Sequence, residues 1–173
     1  MRNIILHQRE ERDRLLSLPY INRHTIYPVD VLLQSPMIKL ITGPRRVGKS
    51  VFALLALKNT NFAYLNFDDN QLLTNWNEDV VMQTLNDVYP DFQYLLLDEV
   101  QNLPNWDLWV TTLYRRGYNL IITGSNARML SQEMATVLTG RYIPIAMYPF
   151  SLPETLQWYD IDPTNIPTEK HAK

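Results

Sequence analysis

The segment Gly43-Pro44-Arg45-Arg46-Val47-Gly48-Lys49-Ser50 sets two glycines, a lysine and a hydroxyl in the order G-x-x-x-x-G-K-[ST]. These are the groups that hold a chain of phosphates. Backbone N–H groups of such a loop, with the N-terminus of the helix that follows, cradle the β- and γ-phosphates. Gly48 lets backbone approach phosphate without a Cβ. Lys49 places a point charge on the oxygens, and Ser50 offers its hydroxyl to Mg²⁺. Only five glycines occur in the 173 residues, and two of them fall in this stretch. Average residue frequencies put a chance match in a chain of this length on the order of one percent or less.

A second constellation is acidic. Tyr94-Leu95-Leu96-Leu97 runs into Asp98-Glu99. In an open parallel sheet ligands lie beyond the carboxyl ends of the strands, so Asp98 emerges on the same edge as the loop. It can hold Mg²⁺, directly or through water. Glu99 can polarise a water for in-line attack on a γ-phosphate. Alone, such a pair is ordinarily a turn or a cap; beside a phosphate loop the functional reading takes precedence. Ser125 and Asn126 follow another apolar run. A polar side chain there can orient the attacking water or sense phosphate, and it can equally serve as a helix N-cap. Arg141 reads either as a surface arginine or as a cation reaching a phosphate, in its own site or a neighbour's. Asp68 and Asp69 read as turn residues, Arg45 and Arg46 as outward-pointing, and Trp106 and Trp109 as core or interface.

These residues need a scaffold. Residues 37–42 read as a strand running into the loop, and residues 48–58 as the helix leaving it. Residues 62–67, 92–97, 119–123 and 142–148 read as further strands, with Pro144 placing the last at an edge or a bulge. Helices are predicted over residues 9–18, 78–89, 106–116 and 126–138. Trp106, Trp109, Val110 and Leu113 fall on one face of the third of these. Strands alternating with helices imply a parallel sheet covered on both faces. The near-continuous apolar strands agree, since they fit burial on both sides.

Composition narrows the classes. Sixteen basic against eighteen acidic residues leave a net charge of −2, so overall charge gives no case for nucleic-acid binding or an anionic membrane partner. There is no cysteine, which excludes a disulfide scaffold, a thiol nucleophile and a cysteine zinc site. The histidines His7, His24 and His171 show no metal-ligand spacing. No apolar run approaches the ~20 residues of a membrane span, and a cytoplasmic location is the expectation.

The set GPRRVGKS, YLNFDD, YLLLDEVQNLPNWDLWVTTLYRRGYN, IITGSNARML and LTGRY resembles the prokaryotic AAA-type P-loop ATPases that carry an uncharacterised C-terminal accessory domain. The resemblance runs from about residue 9 to about residue 156. It implies a three-layer α/β core with strand order 5-1-4-3-2. It also implies Lys49 and Ser50 in Walker A, Asp98 and Glu99 in Walker B, Ser125 at the sensor-one position and Arg141 in a Gly-Arg element. The expected division is a lead-in over residues 1–36, an ATPase core over 37–149 and a tail over 150–173. The tail looks like the start of a lid and accessory region, so the chain reads as a truncated core.

The favoured reading is Mg²⁺-dependent ATP binding and hydrolysis, slow without a lid. The alternative is a nucleotide-binding switch or interaction module with little hydrolysis. A small-molecule kinase is weaker, lacking an arginine-rich lid, and GTP is disfavoured because no Asn-Lys-x-Asp segment exists to read guanine. The sequence names no protein partner and no oligomeric state.

Overall fold

The computed structural model describes residues 1–23, 28–125 and 138–162. Among these, the apolar runs form strands β1 (Ile38–Gly43), β2 (Phe62–Asn66), β3 (Tyr94–Asp98), β4 (Leu120–Ser125) and β5 (Tyr142–Ala146). They make one sheet in the order β2-β3-β4-β1-β5, with every pair parallel. This is the expected order 5-1-4-3-2 read from the other edge.

Strand residues alternate between two cores. On one face Leu40, Leu65, Leu95, Leu97 and Ile122 pack beneath α1 (Arg2–Leu16), α5 (Glu78–Val88) and α6 (Trp106–Arg115). On the other, Ile41, Tyr64, Leu96 and Ile121 meet Leu32 of α2 (Val29–Gln34) and Phe52, Ala53 and Leu57 of α3 (Lys49–Leu57). Short helices α4 (Asn70–Thr74) and α7 (Leu152–Trp158), and a 3₁₀ turn over Val100–Asn102, complete the described elements. Trp106, Trp109, Val110 and Leu113 are all buried, so the tryptophan stripe is core. Asp69 caps α4 through Gln71 N–H at 2.8 Å, a turn role.

Three expectations change. The first helix begins at Arg2 rather than residue 9, because the apolar residues of its first turns, Ile4, Ile5 and Leu6, are consecutive and show no helical period, although all three pack on the core. Ile5 is buried, but the next positions on its face, Gln8, Arg9 and Arg12, dock by hydrogen bonds. Gln8 Nε2 donates to Asn66 O at 3.1 Å while Gln8 Oε1 accepts from Asn66 N–H at 2.9 Å. Its amide thus stands in for a neighbouring strand along the outer edge of β2. Arg12 Nη1 donates to Phe62 O at 2.8 Å on that edge, and Arg9 Nη1 to Val88 O at 3.0 Å. Second, α2, α4 and α7 were not anticipated; each is seven residues or fewer, too short to show a helical period. Third, β5 ends at Ala146. The helix expected over residues 126–138 lies outside the described residues except for Leu138, which is buried.

Lys39 lies inside β1 and is almost wholly buried. Its Nζ donates to Ser35 O at 2.5 Å and to Asn119 Oδ1. Burial lowers its pKa from 10.5 to about 8. The unfolded chain therefore holds more protons than the folded one between those values. The resulting stability is fully present above about 10.5 and is lost as pH falls through about 8. We predict that wild-type stability gains relative to Lys39→Met as pH rises from 8 to 10, measured by urea unfolding at each pH. A difference independent of pH would show that Lys39 titrates alike in both states.

Candidate functional site

β1 runs into the loop at Gly43, where a Cβ would sit 2.3 Å from Met147 O. Only glycine fits there, because Met147 continues the chain alongside and donates its N–H to Thr42 O at 2.7 Å. Pro44, Arg45 and Arg46 are exposed and Val47 is buried. The loop turns through Arg46 at φ 65° and Gly48 at φ 90°, and a non-glycine residue in the left-handed region costs roughly 1–2 kcal/mol. Gly48 is the N-cap of α3 and supplies no side-chain acceptor. The first N–H groups of α3 therefore lack a side-chain cap, the arrangement that favours an anion.

Lys49 opens α3 with its side chain 3% exposed, and Nζ stands 3.5 Å from Glu99 Oε1. The ammonium donates to Gly43 O at 3.3 Å and Pro44 O at 3.0 Å, spanning the mouth of the loop. A buried ammonium costs free energy unless partnered, and here two carbonyls and a carboxylate partner it.

Asp98 and Thr123 fall two residues beyond Leu96 and Ile121, so both side chains take the α3 face of the sheet. Thr123 Oγ1 donates to Asp98 Oδ1 at 2.5 Å, and Tyr64 Oη donates to Asp98 Oδ2 at 3.2 Å. Burial pushes the Asp98 carboxyl upward. Hydrogen bonds with Thr123, Ser50 and Tyr64 work against that shift, and the Glu99 charge adds to it. Burial and the Asp98 charge also push the Tyr64 phenol up, so it remains a donor. Thr123 Oγ1 in turn accepts the Glu99 N–H at 3.0 Å. One hydroxyl thus fixes both acidic residues.

Glu99 leaves β3 in the left-handed region at φ 52°. That turn sends Val100 into the core and the Glu99 carboxylate toward Lys49. Gln101 Nε2 donates to Glu99 Oε2 at 2.5 Å. Lys49 is thus matched by Glu99, and the Asp98 carboxyl faces hydroxyls rather than the ammonium. Asp98 beside Ser50 supplies the oxygens a divalent cation takes.

The candidate residues do not all converge. Gly43, Pro44, Gly48, Lys49, Ser50, Asp98 and Glu99 share the carboxyl edge of the sheet, and Ser125 pairs with Gly43 in the β1–β4 register. Arg45 and Arg46, both exposed, line a cavity of about 320 Å³ with Val47, Gly48, Pro149 and Phe150. Asn126 lies outside the described residues. The Arg141 carbonyl accepts the Ile38 N–H at 2.9 Å, so its backbone stands at the amino edge. A strand's length, roughly 17 Å at 3.3 Å per residue, separates it from the loop, and the fold does not bring it to its own chain's loop.

The family model for an AAA domain matches residues 35–156, a span that holds the loop, the acidic pair and every strand. The chain belongs to the AAA domain family. An uncharacterised protein of Haemophilus influenzae is 37% identical over 140 residues, covering 72% of this chain and 34% of that protein. An uncharacterised protein of Methanocaldococcus jannaschii is 32% identical over 139 residues, covering 75% and 30%. The chain thus spans about a third of the length of these curated relatives. Among solved structures, the P-loop NTPase domain of the sigma-54 transport activator from E. coli is similar at TM-score 0.43 and 14% identity, over 84% of this chain and 96% of that one. Saccharomyces cerevisiae RIF2 is similar at 0.47 and 13%, over 99% and 71%. No helix among the described residues is long and apolar enough to cross a membrane.

Thr123, Tyr64 and Gln101 went unassigned in the sequence. The available signal for the first two was a polar group on the α3-facing parity of an otherwise apolar strand. Gln101 stood in the quoted DEVQN segment without a role. We predict that Thr123→Val lowers stability by about 1–3 kcal/mol, because a buried carboxylate and a backbone N–H each lose a partner, while Thr123→Ser restores most of it. Denaturant unfolding midpoints measure both.

Proposed function

We propose that the chain binds ATP with Mg²⁺ and hydrolyses it. The observation that carries this is the buried Lys49 ammonium at the loop mouth, with Asp98 and Glu99 on the same sheet edge. With ATP bound, the Lys49 ammonium exchanges the Gly43 and Pro44 carbonyls for β- and γ-phosphate oxygens. Ser50 and Asp98 would hold a Mg²⁺, and that ion would supply positive charge to the phosphate oxygens. Glu99 accepts a proton from the attacking water. The new bond joins water oxygen to γ-phosphorus, the bridging oxygen leaves with ADP, and inorganic phosphate is released. Most of the effect is positioning and charge stabilisation. Ser125, beside Gly43, contacts the γ-phosphate or the water. Arg141, whose backbone stands at the opposite edge from its own loop, either reaches a phosphate in a neighbouring copy or serves a structural role in its own chain.

A second reading draws on the two contacts of the Glu99 carboxylate. Both Glu99 oxygens are engaged here, one by Lys49 and one by Gln101. A base so held supports a nucleotide-binding switch with little turnover. Phosphate release measured against nucleotide retention separates the two readings.

Lys49→Ala is expected to abolish ATP binding with the fold retained, read by calorimetry and circular dichroism; unchanged affinity would remove the phosphate-loop assignment. Glu99→Gln is expected to keep ATP affinity and lose hydrolysis by ~10²–10⁴-fold, the usual effect of deleting a general base. Equal turnover in wild type and variant would exclude Glu99 as the base.

A further inference from the structure

Arg23 lies between α1 and α2, and its side chain is 9% exposed. Its three nitrogens go three ways. Nε donates to Glu154 Oε1 at 2.9 Å, Nη1 to Val47 O at 2.7 Å and Nη2 to Tyr148 O at 2.6 Å. The guanidinium also lies 4.8 Å from the centroid of the Phe150 ring. Glu154 belongs to α7, with its side chain 5% exposed. Its other oxygen accepts the Ser151 N–H at 2.7 Å and the Ser151 hydroxyl at 2.9 Å. One planar cation therefore links the phosphate loop, the chain leaving β5 and the start of α7.

The link falls on a sensitive peptide. The Val47–Gly48 unit is planar and trans, so its carbonyl and its N–H point in opposite directions. Holding Val47 O on Arg23 aims the Gly48 N–H to the far side. If the loop binds phosphates as proposed, that N–H is one of those that hold them. We infer that Arg23, oriented by Glu154, is a positioning residue for the phosphate loop, and that through this pair α7 responds to whether the loop is filled. The inference rests on the proposed nucleotide binding. Arginine suits the task because its rigid fork serves several acceptors at once, whereas a lysine ammonium is a single compact charge. A buried ion pair is weak evidence for stability on its own. The three-way division of the donors between loop and α7 is what points to coupling.

Coupling between sites is reciprocal: whatever α7 does to nucleotide affinity, nucleotide does to α7 by the same factor. The test uses the full chain with Mg²⁺ and ADP as the probe. Amide hydrogen exchange is followed in α7 and in β1, β3 and β4, for wild type, Arg23→Lys and Glu154→Gln. ADP is expected to slow exchange in wild-type α7 by about tenfold, within the usual span of coupling. Both variants are expected to lose that response and to bind ADP about tenfold more weakly, with central-strand exchange unchanged. A merely structural clamp would speed α7 exchange alike with and without ADP and leave affinity alone, which overturns the inference. So does a wild-type α7 that ignores ADP. Failure of wild type to bind ADP or ATP at all would instead remove the nucleotide reading, and this inference with it.

Discussion

Charge buried at the carboxyl edge of the sheet governs the arrangement around it. Lys49 and Asp98 are each buried to 4% exposure, so protein groups must largely take water's place around their charged atoms. Those groups come from separate strands: carbonyls at the end of β1, the Tyr64 phenol from β2, the Thr123 hydroxyl from β4 and Glu99 just past β3. Only a sheet in which β1, β3 and β4 lie adjacent can deliver them together. Thr123 is the most economical part, since a single hydroxyl donates to Asp98 and accepts from Glu99. The parallel direction of every strand then places all of this chemistry at one edge and leaves Lys39 and Arg141 at the other.

The sheet and the loop were legible because their signals are local. Four-residue apolar runs, a glycine-lysine-serine step and an acidic pair each lie within a few residues of sequence, and each marks a strand end. The order of the strands came through the family resemblance, not from periodicity. What escaped reading depends on partners distant in sequence. The start of α1, before the predicted residue 9, hid because Ile4, Ile5 and Leu6 are consecutive and show no helical period, and because Gln8 docks by hydrogen bonds to β2. Arg23 hid because its acceptors lie 24 to 131 positions away. Thr123 was visible as a residue but not as a partner. Its role follows from β3 and β4 lying side by side, which no short window records.

The two outer margins of the sheet bear on what this chain can do in company. Along β2, α1 occupies backbone groups at Phe62 and Asn66 that a further strand would need. Along β5, Arg141 and Met147 spend their backbone groups on β1, so alternation turns Pro144 outward. At that point the open side of β5 offers no N–H to a newcomer, and proline on an edge strand discourages pairing. Among the described residues, each margin is thus interrupted as a template for backbone pairing. For copies of this chain that meet at high concentration, as in a concentrated stock, edge-to-edge pairing is therefore disfavoured against contact through side-chain surfaces. The long continuous sheets that lead to insoluble fibres are the less accessible to the folded form for it.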